Sequence, residues 1–170
     1  VDFLVEKSPL EGGTLQIEDI TAEIMPGVDR ALATARRMLV TGTDLHGAEQ
    51  KLTARICEIG PFLALKLRAF LRSQQPKDAF DILYSVLHYD GGTGAAIASF
   101  TEELQQGNTA SPEALRALQE LFANENSPGS AKANHFVLVG AGSYESADVK
   151  YRRASIRQDM VDVAKKLLER

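Results

Sequence analysis

Two periods of apolar and polar residues run along this chain, and one gives way to the other near residue 60. Before that point, apolar side chains recur at every second position, the spacing of a strand with one buried face. Residues 1–6, Val-Asp-Phe-Leu-Val-Glu, read as a strand from the first position, and Ser8-Pro9 and Gly12-Gly13 then punctuate a turn. Residues 14–20 alternate again, with Leu15 and Ile17 on one side, until Pro26-Gly27 breaks the chain. A short helix is expected over 31–37, a strand over 38–41 and a hairpin loop over 42–47. Residues 51–59 form the return strand, with Leu52, Ala54, Ile56 and Glu58 on a common face.

Beyond Gly60 the period lengthens to about 3.6, the helical repeat. Phe62, Leu65, Ala69 and Phe70 make one stripe, which Leu63, Leu67 and Leu71 widen. Pro61 fits the first turn, where a missing N–H removes no bond. Pro76 opens a second helix that runs to about Tyr89, and a third covers about 94–106. A fourth follows Ser111-Pro112-Glu113-Ala114, with Ser111 as the expected cap. Residues 134–139 have the composition of a strand but helical surroundings, and are read as helix. From about 151 to 170, Ile156, Met160, Val163, Ala164 and Leu167 mark a closing amphipathic helix. The fold class expected is α+β: a β-rich unit over 1–59, then a helical bundle over 60–170.

Bulk properties narrow the setting. The 170 residues are 44% hydrophobic and 25% charged, ordinary for a globular chain that buries its own core. A net charge of −4 argues against a wholly basic nucleic-acid binder, though not against a local basic patch. Cys57 has no second cysteine to pair with and is expected as a small buried hydrophobe. No apolar run is long enough for a bilayer and no signal peptide is visible, so the expected compartment is the cytoplasm. His46, His88 and His135 lack metal-ligand spacing. Residues 139–145 start like a dinucleotide fingerprint but lack its third glycine, and Gly91-Gly92-Thr93-Gly94 lacks the ending of a phosphate loop. Ser85, Ser143 and Ser155 have no positioned base. Tyr151-Arg152-Arg153 with Arg157 is a basic patch, read first as a solvated face and second as an RNA or phosphate contact.

The residues most suggestive of chemistry flank the first helical connection. Lys66 interrupts an apolar helix, so it either reaches past the stripe to water or meets an anion. Asp78 and Asp81 stand three apart at the start of the next helix and share a face. The helix dipole accounts for Asp78. Asp81 lies among Phe80, Ile82, Leu83, Val86 and Leu87 and calls for a cation, either Lys66 or Arg68. Such a pair locks two helices together, or aims a cation at a phosphate.

The run from Gly60 to Phe70, followed by Lys77-Asp78-Ala79-Phe80-Asp81-Ile82, resembles the distal motif of AbiEii-type nucleotidyltransferases. These are the toxin half of type IV toxin–antitoxin and abortive-infection systems. The likeness extends over most of the chain, but only the stretch from Lys66 to Asp81 is specific. It implies a C-terminal portion of such a protein, without the Gly-Ser turn and Asp-x-Asp pair that would precede Val1. It assigns Asp2 as a third carboxylate and magnesium ligand, and Lys66, Asp78 and Asp81 as catalytic-site residues. Lys66, Arg68 and Lys77 would contact the nucleotide. The implied reaction moves nucleotides from a nucleoside triphosphate with magnesium to an RNA (a tRNA end) or a protein acceptor, and this chain alone is expected to be inactive. The alternative is a non-catalytic helical module that binds an antitoxin or RNA. An exposed sheet edge would favour a homodimer.

Overall fold

The computed structural model describes residues 3–6, 13–138 and 147–169. The elements are β1 (Leu4–Val5), β2 (Thr14–Ile17), β3 (Ile20–Ile24), α1 (Val28–Ala33), β4 (Arg36–Thr43), β5 (Glu49–Ile56), α2 (Ile59–Ser73), α3 (Pro76–Leu87), α4 (Gly92–Gln105), α5 (Ser111–Leu121), α6 (Pro128–Leu138) and α7 (Ala147–Leu168). The chain is therefore α+β, with its strands and the short α1 first and the remaining helices, α2 to α7, after them.

The β-rich part is two sheets rather than one. β3 lies between β1, to which it is parallel, and β2, to which it is antiparallel. The single strand expected over 14–20 is in fact a hairpin, in which Ile17 pairs with Ile20 across Glu18-Asp19. Glu18 takes a left-handed φ of 52°, a conformation usually signalled by Asn or Gly, so composition gave no sign of the turn. Gly27, at φ 98°, ends this unit and starts α1. A side chain there would lie 2.6 Å from Asn108 Oδ1, so the β unit meets the α4–α5 connection closely at this point.

β4 and β5 form a separate antiparallel ribbon, in which Arg36 pairs with Ile56 and Thr43 with Glu49. All its strand residues are exposed except Ala54, which is half-buried. Met38, Val40, Leu52, Ala54 and Ile56 share one face, as alternation requires. Leu52 keeps 65% of its surface exposed, so Leu52→Ser should change unfolding free energy by no more than about 0.5 kcal/mol, measured by urea titration.

The core is helical and centres on α2, whose Leu63, Ala64, Leu67 and Phe70 are fully buried. They meet Ile82 and Val86 of α3, Phe100 of α4, Leu118 of α5 and the Met160–Leu167 stripe of α7 within one apolar cluster. Gly60 lets α2 approach α4: a Cβ there would stand 2.5 Å from the Ser99 carbonyl oxygen. Gly129 of α6 likewise makes room for the Phe122 ring. Ser111 is not a cap but the first residue of α5, with Pro112 beside it. The chain turn before α5 is held instead by Asn108, whose Oδ1 accepts from the Ala110 N–H at 2.8 Å. Residues 134–138 are helical, as expected. Cys57 is half-buried rather than buried; its thiol donates to the Glu58 carbonyl at 3.1 Å, and burial pushes its pKa up to about 11. No helix among the described residues is long and apolar enough to cross a membrane.

Candidate functional site

The site is built by the short connection between α2 and α3. Gln74 ends α2 in the left-handed region at φ 49°, and its N–H donates to the Phe70 carbonyl at 2.9 Å. Its own carbonyl accepts from Lys132 Nζ of α6 at 2.7 Å, which fixes the corner. Gln75 is extended and Pro76 opens α3, so the chain reverses in two residues. Lys66, two turns before the end of α2, is thereby set against the first turns of α3.

Lys66 Nζ lies 2.8 Å from Asp78 Oδ1 and 2.8 Å from Asp81 Oδ2. Lys77 Nζ, on the solvent side, approaches the same Asp81 oxygen at 2.7 Å. The Lys66 side chain is 24% exposed and its ammonium stands 5.9 Å from the Phe62 ring centre. Burial opposes its charge, but bonds to Asp78 and Asp81 outweigh that, and its pKa is raised from the ordinary lysine value. Burial likewise pushes the Asp81 carboxyl up, and Lys66 and Lys77 together hold it below the usual aspartate value. Both groups are thus charged at neutral pH. Two of the three Lys66 ammonium protons meet carboxylates, which leaves a third for another acceptor.

A ladder of rings adjoins this cluster. Phe80 stacks on Phe136 of α6 with centroids 5.1 Å apart and meets Tyr84 at 5.6 Å, and Tyr84 meets His88 at 4.4 Å. Lys77, Asp81 and Tyr84 follow one another at helical spacing on α3, and His88 caps its end, so charge and exposed aromatic surface are continuous. Tyr84 and Phe136 had no role in the sequence reading. Spacing alone placed Tyr84 on the Asp81 stripe, but nothing in the sequence pointed to Phe136, which reaches it only through packing.

Not every expected residue joins the cluster. Lys66, Lys77, Asp78 and Asp81 come together, and the cation beside Asp81 is Lys66, not Arg68. Two positions further along α2, Arg68 points to a different side. It is buried, with Nε 2.7 Å from Glu113 Oε2 of α5, and Arg72 Nη2 holds the other Glu113 oxygen at 2.7 Å. Asp2 and the glycine-rich stretch at 139–145 lie outside the described residues. In the Arg152–Arg153–Arg157 patch only Arg152 is exposed, the other two being half-buried.

Among the described residues no group of three or more His, Cys, Asp or Glu side chains is arranged to hold a metal ion. Asp78 and Asp81 do not fit as magnesium ligands, because the Lys66 ammonium occupies the position between them that a cation would take.

A second charge pair, missed from sequence, joins the two parts of the chain and sets a half-buried arginine on a buried carboxylate. Arg30 of α1 meets Glu103 of α4 through two bonds of 2.9 Å, and Asn108 Nδ2 adds a third to Glu103 at 2.8 Å. Its signal was the helical stripe Ala96, Phe100, Glu103, which sets a carboxylate on a buried face. Comparison with protein-family models, with curated proteins and with solved structures finds no match to this chain.

Proposed function

We propose that this chain is the C-terminal part of an AbiEii-type nucleotidyltransferase-like protein, which moves nucleotides from a nucleoside triphosphate to an RNA or protein acceptor. The observation that carries the reading is Lys66, held 2.8 Å from both Asp78 and Asp81 at the α2–α3 corner. Two carboxylates fix the direction of the ammonium as well as its charge, which suits a group that must meet a phosphate oxygen in a set place. Lys77, with its side chain 63% exposed, adds a second cation at the rim, and Tyr84 and Phe136 offer exposed ring surface beside it. In this reading Arg68 supports α2 through Glu113 and does not touch the nucleotide. Magnesium enters with the triphosphate, and Asp2 would be its ligand from this chain.

The test is calorimetric titration of each nucleoside triphosphate, with magnesium, into the wild-type chain, Lys66→Ala/Asp81→Ala and Lys77→Ala. Binding by the wild type, lost in the double variant and weakened roughly tenfold in Lys77→Ala, is the expected result; a tenfold change corresponds to about 1.4 kcal/mol, within the range for one charge-assisted bond. A folded chain that binds no triphosphate, or binds equally well in all three forms, would sink the reading.

A further inference from the structure

The face of the β4–β5 ribbon that carries Arg37, Lys51 and Arg55 takes no part in the site above, and it also holds Leu39, which is 65% exposed. Register places Arg37 directly opposite Arg55, Leu39 opposite Thr53, Thr41 opposite Lys51 and Thr43 opposite Glu49. Directly opposed residues share a face, so Arg37, Arg55 and Lys51 stand together with three threonines. Like charges across a strand pair destabilise it. The sheet itself gains nothing from setting two guanidinium groups side by side. Arg37 and Lys51 form no ion pair among the described residues. Arg55 is steadied at the ribbon's base by a 2.7 Å bond from Nη2 to the Leu32 carbonyl. The one carboxylate of this face, Glu49, sits at the far end beside the loop. Between residues 36 and 56 the chain carries four Lys and Arg against two Asp and Glu, within a protein of net charge −4.

We propose that this face of the ribbon binds the phosphodiester backbone of a nucleic acid strand, with Arg37, Arg55 and Lys51 as the phosphate contacts. An anion placed between Arg37 and Arg55 turns their repulsion into two charge-assisted contacts, and guanidinium forks suit phosphate oxygens. Thr41 and Thr53 lie in the same row and can donate hydroxyl bonds to the same oxygens. A two-stranded ribbon also has the dimensions to follow a nucleic acid groove. The opposite face carries Met38, Val40, Leu52, Ala54 and Ile56, and its cation, Arg36, is paired with Glu58 at 3.1 Å, so the contact is one-sided. The proposal does not depend on nucleotide transfer, and its test uses no triphosphate.

The probes are a fluorescein-labelled single-stranded RNA of about twelve nucleotides and a DNA duplex of the same length, a size matched to common strand-binding sites. Anisotropy is measured at several salt concentrations for the wild type, Arg37→Gln/Lys51→Gln and the charge-matched Lys165→Gln/Lys166→Gln on α7. Wild-type affinity should fall with salt at a log–log slope of about −2 for RNA, the value for three contacts. The ribbon variant should bind at least roughly tenfold more weakly at low salt, with the slope reduced to about −0.7. The α7 variant should match the wild type. Stronger binding of RNA assigns the occupant as a single strand, and stronger binding of DNA assigns it as a duplex. A readout on the unmodified protein is acetylation of lysines followed by mass spectrometry: nucleic acid should protect Lys51 and leave Lys165 and Lys166 reactive. No binding, equal loss in both variants, or an unprotected Lys51 would overturn the proposal.

Discussion

Phe70→Ala should lower the unfolding free energy by about 3–5 kcal/mol, the range for removing a buried aromatic ring from a packed core. Phe70 is fully buried in the last turn of α2, and its ring lies 5.0 Å from that of Phe122. Phe122 is in turn seated on Gly129, where no side chain would fit. Three helices therefore meet through one ring: α2 carries it, Phe122 at the end of α5 lies tilted against it, and α6 closes over the pair. Neighbours in such a site have little freedom to collapse into the space, because Leu67, Ala114 and Leu118 already belong to the same filled cluster. The effect is read from urea denaturation followed by circular dichroism. A loss below about 1.5 kcal/mol would mean that the core repacks around the cavity, contrary to this description.

Arg30→Ala is the second large effect, expected near 2–4 kcal/mol at neutral pH. Removing Arg30 leaves the buried Glu103 charge without its main partner. The figure is set at the lower end because the Arg30 side chain is 33% exposed while that of Glu103 is 4% exposed. Burial pushes the Glu103 carboxyl up, yet Arg30 and Asn108 together hold it below the ordinary glutamate value. A carboxyl depressed on folding contributes stability above its unfolded pKa, about 4.3, and loses it as pH falls through the lower folded value. In Arg30→Ala the burial remains while most of the compensation is gone, so Glu103 should take up its proton at a higher pH. The gap between variant and wild type should therefore narrow on acidification. Urea titrations at pH 7 and at about pH 4 test this; a gap that stays constant between them would show that the loss comes from packing and not from the stranded charge.

Local chemistry made much of this protein legible before its fold was known. The change of period at Gly60, the proline at the start of α3 and the stripe from Ile156 to Leu167 each depend on neighbours a few residues away, and those elements formed close to where they were expected. The Lys66, Asp78 and Asp81 set was legible for a related reason: a lysine and an aspartate inside apolar stripes demand partners, and a two-residue connection brings their helices together. Periodicity failed where conformation ran against composition. Glu18 and Gln74 both adopt left-handed backbone without being glycine or asparagine, so the β2–β3 turn was hidden, and the α2–α3 corner rests on a Lys132 bond from 58 residues away. Which cation serves Asp81 was also undecided, since Lys66 and Arg68 are equally near in sequence. Helix packing settled it by turning Arg68 towards Glu113.

The sequence by itself determined the order and kind of most elements and the identity of the residues that need partners, because both follow from local periodicity and from the expense of burying charge. Only the tertiary structure decided which partners they find. The Arg30–Glu103 pair, the ring contact between Phe80 and Phe136 and the separation of the ribbon from the three-stranded sheet join residues distant along the chain. Such contacts are selected by the shape of the whole packed chain, and no short window of sequence contains it.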